Sequence, residues 1–166
     1  MKKNFKGFTL IELIVVIAII GVLAAILVPA MMGWVRKASV NSANSNAKSI
    51  FTNAQTVAQE LETAGNSTEL TSGSGNLSGA IVNGANESGS FEQRVNACMT
   101  SSNSAARWAV SHNGFVITAA VYSNNGSSYM GGYPNACPQT INAPWNETSG
   151  LSAAIASGSA ASSAWS

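Results

Sequence analysis

Few side chains in this sequence can do chemistry, and their types narrow what that chemistry is. All seven acidic residues are Glu, and there is one His, His112. A nucleophile assembled from His112 and one of the many serines is arbitrary without an Asp or a Gly-x-Ser-x-Gly elbow. Cys98, Cys137, His112 and a carboxylate are the one conceivable zinc set, and no two of them have ligand spacing. We therefore expect no catalytic residue, no metal and no cofactor, and the chain does not read as an enzyme. Two cysteines are too few for a disulfide-dense scaffold but suit a single staple in an oxidising compartment. Cys98 and Cys137 are expected to pair, closing a loop worth roughly 4 kcal/mol in the chain-entropy model. What remains is ion pairing. Glu12 is the only charge between Phe8 and Val35, so its carboxylate needs a counter-charge or a path to water.

The element that holds Glu12 is an apolar run, FTLIELIVVIAIIGVLAAILVPAMMGWV, from Phe8 to Val35. Leu13 to Val35 is 23 residues without a charge, and about 20 helical residues cross the ~30 Å hydrocarbon core. Lys2, Lys3 and Lys6 precede the run and Arg36 and Lys37 come after it. The denser amino-terminal cluster is expected to stay cytoplasmic, with the rest of the chain outside. Two simpler readings compete. A secretory signal peptide with a small-residue cleavage site at Val28-Pro29-Ala30 is one, but the helical pattern continues past Ala30. A plain single-span anchor is the other, and it leaves Glu12 without a role. A carboxylate costs up to about 3 kcal/mol at the bilayer centre and less near an interface.

Lys6-Gly7-Phe8-Thr9-Leu10-Ile11-Glu12, continued by the charge-free span, resembles the class III signal sequence of type IV prepilins and pseudopilins. The resemblance covers about the first 60 residues. It implies cleavage between Gly7 and Phe8 by a membrane prepilin peptidase, and N-methylation of the new amino terminus at Phe8. It also implies that Glu12 of an incoming subunit takes the amino terminus of one already assembled. Gly7 has no side chain to shield its peptide bond. The new ammonium lies four residues, about 6 Å of helix rise, before Glu12. Gly21 and Pro29 weaken the helix between them, and the resemblance implies that this segment melts in an assembled filament.

Beyond Arg36 the helical pattern continues. Val40, Ala43, Ala47, Ile50, Ala54, Val57 and Leu61 are spaced 3, 4, 3, 4, 3, 4, with Phe51 and Ala58 widening the seam. The opposite face is Asn, Ser, Gln and Thr, and Gly65-Asn66 is a stop signal. An Ala-rich seam without flanking charges argues for packing on a sheet rather than a coiled coil. Residues 65–90 read as a Gly/Ser/Asn-rich loop, with a short strand or turn at Ala80-Ile81-Val82, and Phe91–Met99 as a short helix. Asn113-Gly114 between two apolar runs marks a hairpin over about 106–122, with Trp108 and Val110 on one strand and Phe115, Ile117, Ala119 and Val121 alternating on the other. His112 reads as a turn residue. Residues 123–150 read as loop, and about 150–166 as a weakly packed tail.

The expected fold is α+β and type IV pilin-like: one long amino-terminal helix, transmembrane in its first half, against a small antiparallel sheet. Residues 1–7 form the leader, 8–35 the transmembrane and assembly helix, 36–64 its amphipathic continuation and 65–166 the globular head. The expected function is a structural subunit of a type IV pilus-like filament. Expected partners are other copies or other pilins, the prepilin peptidase, an assembly platform in the inner or cytoplasmic membrane, and lipid before assembly. Charged residues are 9% of the chain and the net charge is +1, which gives no basis for nucleic-acid binding. Alternatives are a pseudopilin of a type II secretion or DNA-uptake machine, and an adhesin-type pilin with a sugar-stacking surface that includes Tyr133 and Trp145. Against the secretion reading, those relatives carry an acidic calcium-binding loop, and this chain has no Asp.

Overall fold

The computed structural model describes residues 8–65, 70, 74–80, 89–99, 105–124, 129–141, 143–156 and 163–165. The chain divides into two units, Met1–Arg36 and Lys37–Ser166. Helix α1, Leu10–Thr63, supplies residues to both and runs unbroken through Gly21 and Pro29. In the first unit it is apolar all round except at Glu12 and the terminal Arg36. The large side chains from Phe8 to Val35 are exposed, Phe8 at 78% and Trp34 at 77%. This is the one helix among the described residues long and apolar enough to cross a membrane.

In the second unit, α1 buries Val40, Ala43, Ala47, Ile50, Ala54, Val57, Ala58 and Leu61, the residues of the 3,4 spacing. They lie against a four-stranded antiparallel sheet with spatial order β1-β2-β3-β4. Its strands are β1 Ser74–Ala80, β2 Arg107–Asn113, β3 Val116–Ser123 and β4 Met130–Tyr133. The fold is therefore α+β: a long amino-terminal helix packed on a small antiparallel sheet. Helix α2, Phe91–Ala97, starts at a reciprocal cap: Ser90 accepts from the Gln93 amide, and the Gln93 side chain reaches back to the Ser90 amide. Phe91 and Val95 are its buried pair. The β2–β3 turn needs a left-handed residue, which Gly114 supplies at φ +61°.

The sheet is covered on both faces. One core joins the α1 seam from Ala43 to Leu61, and α2, to Trp108, Val110, Ile117, Ala120 and Tyr122, while Val40 belongs to the second core. The other joins Ala109, Ala119, Val121 and Met130 to Leu151, Ala153, Ala154 and Trp165. The expected alternation along β3 is corrected here. His112 pairs with Ile117 but Ser111 pairs with Ala119, so Thr118 is an extra residue in the ladder. Its hydroxyl donates to Ser111 O at 3.0 Å. A bulge of one residue reverses the facing of the residues beyond it. Ala120 and Tyr122, rather than Ala119 and Val121, join Trp108 and Val110 against α1.

The region read as a tail also differs. Helix α3 spans Glu147–Ile155, with Asn146 as its N-cap, and a 3₁₀ turn spans Ser163–Trp165. Burial of Leu151, Ala153, Ala154 and Trp165 orders them. Of the strand or turn expected at Ala80-Ile81-Val82, Ala80 belongs to β1, and Ile81 and Val82 lie outside the described residues.

Candidate functional site

The start of α1 is built by its own sequence. Thr9-Leu10-Ile11-Glu12 has the Thr-x-x-Glu spacing of a capping box. The Thr9 amide donates to Glu12 Oε2 at 2.9 Å, and the Thr9 hydroxyl donates to the same oxygen at 2.6 Å. The Glu12 amide donates back to Thr9 Oγ1 at 3.4 Å. The carboxylate thus stands in the first turn, favoured there by the helix dipole, with exposed Leu10, Ile11, Leu13 and Ile14 around it. The sequence reading missed this box, although the Thr-x-x-Glu spacing is its signal. Phe8 lies just before the helix and is exposed; Gly7 lies outside the described residues. Gly21 and Pro29 sit on exposed, continuous helix. No heavy atom stands within 4 Å of where a Gly21 Cβ would be.

The expected Cys98–Cys137 disulfide is not formed, and both cysteines are free thiols. The reason lies in α1. Asn53 donates to Cys98 O at 3.3 Å, whereas Asn44 donates to Cys137 O at 2.9 Å. Those asparagines are nine helical residues apart, about 13 Å of rise, and a disulfide needs its Cα atoms within about 7 Å. Cys98 is exposed at the end of α2, and Cys137 is buried. Burial pushes the Cys137 thiol up to about 11.

The two aromatic side chains considered for surface recognition lie in different surroundings. Tyr133 is half-buried beside the first core, its ring 4.8 Å from that of Phe51 and tilted by 59°. Lys48 Nζ stands 6.0 Å from its centroid. Trp145 packs at the edge of the second core. His112, read as a turn residue, is buried in β2 with Nδ1 3.2 Å from Gly114 O.

Two residues on the face of α1 read as solvent-facing point at the sheet instead. Asn44 Oδ1 accepts from the amides of Gly132 at 3.0 Å and Cys137 at 2.9 Å. Gln55 donates to Phe115 O at 3.0 Å and accepts from the Ile117 amide at 2.9 Å. Their spacing of 11 residues, three helical turns, is the signal that places both on one face.

Residues 2–28 match the family model for the prokaryotic N-terminal methylation motif. The chain is 51% identical over 51 residues to a fimbrial protein of Moraxella nonliquefaciens, covering 31% of this chain and 33% of that one. It is 40% identical over 65 residues to the type IV major fimbrial protein FimA of Dichelobacter nodosus, covering 39% and 42%. It is 45% identical over 47 residues to the type IV major pilin protein PilA of Myxococcus xanthus, covering 28% and 21%. The chain therefore spans less than half the length of each of these curated relatives. No solved structure matches it.

Proposed function

We propose that this chain, a type IV pilin-type protein, is a structural subunit of a type IV pilus-like filament, stored in the cytoplasmic membrane before assembly. A single observation carries the reading: one carboxylate, Glu12, stands in the stretch from Phe8 to Val35, whose large apolar side chains are exposed. Such a surface needs lipid or other helices around it. In this reading residues 1–7 are a leader, 8–35 span the membrane, and residues 65–166 form the globular head, displayed outside.

A prepilin peptidase cuts between Gly7 and Phe8, and Phe8 is N-methylated. The cut removes Lys2, Lys3 and Lys6, three of eight basic residues, and creates a cation at Phe8. While the subunit is stored, the Thr9 hydrogen bonds hold the Glu12 carboxylate. An unpaired ion in an apolar bundle costs several kcal/mol. On assembly the Glu12 carboxylate takes the ammonium of a neighbouring subunit, which sets the stagger between helices. Gly21 and Pro29 bracket a stretch that unwinds as the subunit leaves lipid. Subunits, an assembly platform in the membrane and the peptidase are the partners, and the fibre serves adhesion, motility or surface interaction.

The test is Glu12→Ala and Glu12→Leu in cells. Both variants insert into the membrane at parental levels, and filament yield falls at least tenfold. Parental filament yield from either variant contradicts the reading.

A further inference from the structure

We propose that Trp34 and Arg36 bind the phospholipid headgroup layer and so hold α1 at one depth in the membrane, with Glu12 as the limit at the other side. The inference rests on the membrane-storage reading and narrows its span. The helical part of the apolar run, Leu10 to Val35, is 26 residues. That is about 38 Å of rise, against a hydrocarbon core of ~30 Å. Apolar composition alone therefore leaves the depth open, because the run can slide by several ångströms and still fill the core.

The side chains at its two ends close that choice. Leu13 to Gly33, the stretch between Glu12 and Trp34, is 21 residues, about 30 Å of rise. Glu12 marks one boundary, because a carboxylate costs less near an interface than in the core. Trp34 marks the other. Its side chain is 77% exposed, and an indole favours the headgroup level, where the ring meets hydrocarbon and the N–H meets polar atoms. Trp34, Arg36 and Lys37 fall within one helical turn, at about 100° per residue, so an indole and two cations leave the helix in three directions. Arg36 adds an independent observation. Its Nε is shielded from water and has no hydrogen-bond partner among the described residues. A phosphodiester supplies the missing acceptor, since two of its oxygens take a guanidinium's parallel N–H groups. With Leu13 and Gly33 as the ends of the hydrocarbon span, Phe8 stands outside it, and the proposed Gly7–Phe8 cut falls in the headgroup layer.

The experiment uses the full chain with Cys98→Ser in vesicles of phosphatidylethanolamine and phosphatidylglycerol, spin-labelled at Val16→Cys or Val28→Cys. Depth is read from the accessibility of each label to oxygen and to a water-soluble nickel chelate. Trp34→Leu with Arg36→Leu lets α1 slide toward the leader side until Lys37 reaches the boundary, three rises or about 4.5 Å. The label at residue 28 then lies deeper and the label at residue 16 shallower by that amount. Trp34→Tyr with Arg36→Lys keeps both interfacial characters and gives the parental depths. Unchanged depths in the Leu pair, both labels deeper (a tilt), or an equal shift in the conservative pair overturns the proposal. In the same vesicles, solid-state NMR of the parent is expected to show phosphorus dephasing of the Arg36 Nε nitrogen signal, and its absence overturns the phosphate contact. A chain that does not float with the vesicles contradicts the membrane-storage reading itself, whereas one that floats with unchanged depths contradicts this inference alone.

Discussion

Gly131 lies so close to Ala43 that a Cβ on β4 would collide with the Ala43 carbonyl group and the Asn44 amide nitrogen. The obstacle is backbone and has no rotamer to change. Gly131→Ala must move β4 away from α1, breaking the bond from the Gly132 amide to Asn44. Overpacking costs about 1–3 kcal/mol, and an amide left buried without a partner adds about 1–3 kcal/mol. Thermal unfolding of Gly131→Ala is expected at least 5 °C below the parent.

Cys98 and Cys137 should behave as two unlike thiols. Cys98 is exposed and is expected to react with iodoacetamide within minutes in native protein, while Cys137, buried at 2% exposure, reacts after unfolding. Peptide mass mapping checks this, and reductant should leave the melting temperature unchanged. The folded protein holds Cys137 in its neutral form, raised from 9.0 to about 11. Its contribution to stability is full below the unfolded value and is lost as pH rises from about 9 toward 11. Cys137→Ala, assayed by melting between pH 8 and 11, should fall less steeply than the parent.

Gly21 and Pro29 can be hardened without a clash. The space around a Gly21 Cβ is open, so Gly21→Ala adds up to about 1 kcal/mol to the helix. Pro29→Ala restores a backbone hydrogen bond. The double variant is expected to gain protection from amide exchange in micelles between residues 21 and 29. If the stretch must unwind on assembly, the same variant yields fewer filaments. Parental yield together with increased protection contradicts that step.

The first unit and the α1 seam were legible in the sequence because one strong period or one charge decides each. A charge-free run with Glu12 has few alternatives, and a 3,4 spacing from Val40 to Leu61 marks a buried face whatever covers it. What was hidden depends on distances between elements. The bulge at Thr118 is one extra residue, and no two-residue period can reveal where it falls. Asn44 and Gln55 are polar, and polarity on an amphipathic helix reads as solvent until the sheet's backbone is seen to need donors and acceptors there. The cysteines invited pairing because there are two of them, but a count carries no separation along α1. Helix α3 is short and rich in Ser and Ala, a composition with little helical signal, and its burial in the second core orders it.

In the proposed assembly, a clipped leader leaves a cation at Phe8 for the Glu12 carboxylate of another copy. Intact mass and amino-terminal peptide spectra of protein from filaments test it most directly. The expected chain begins at Phe8 with one added methyl group on its amine. Working protein that still carries Met1 to Gly7, or that begins at Met31 after a secretory cut, would contradict it.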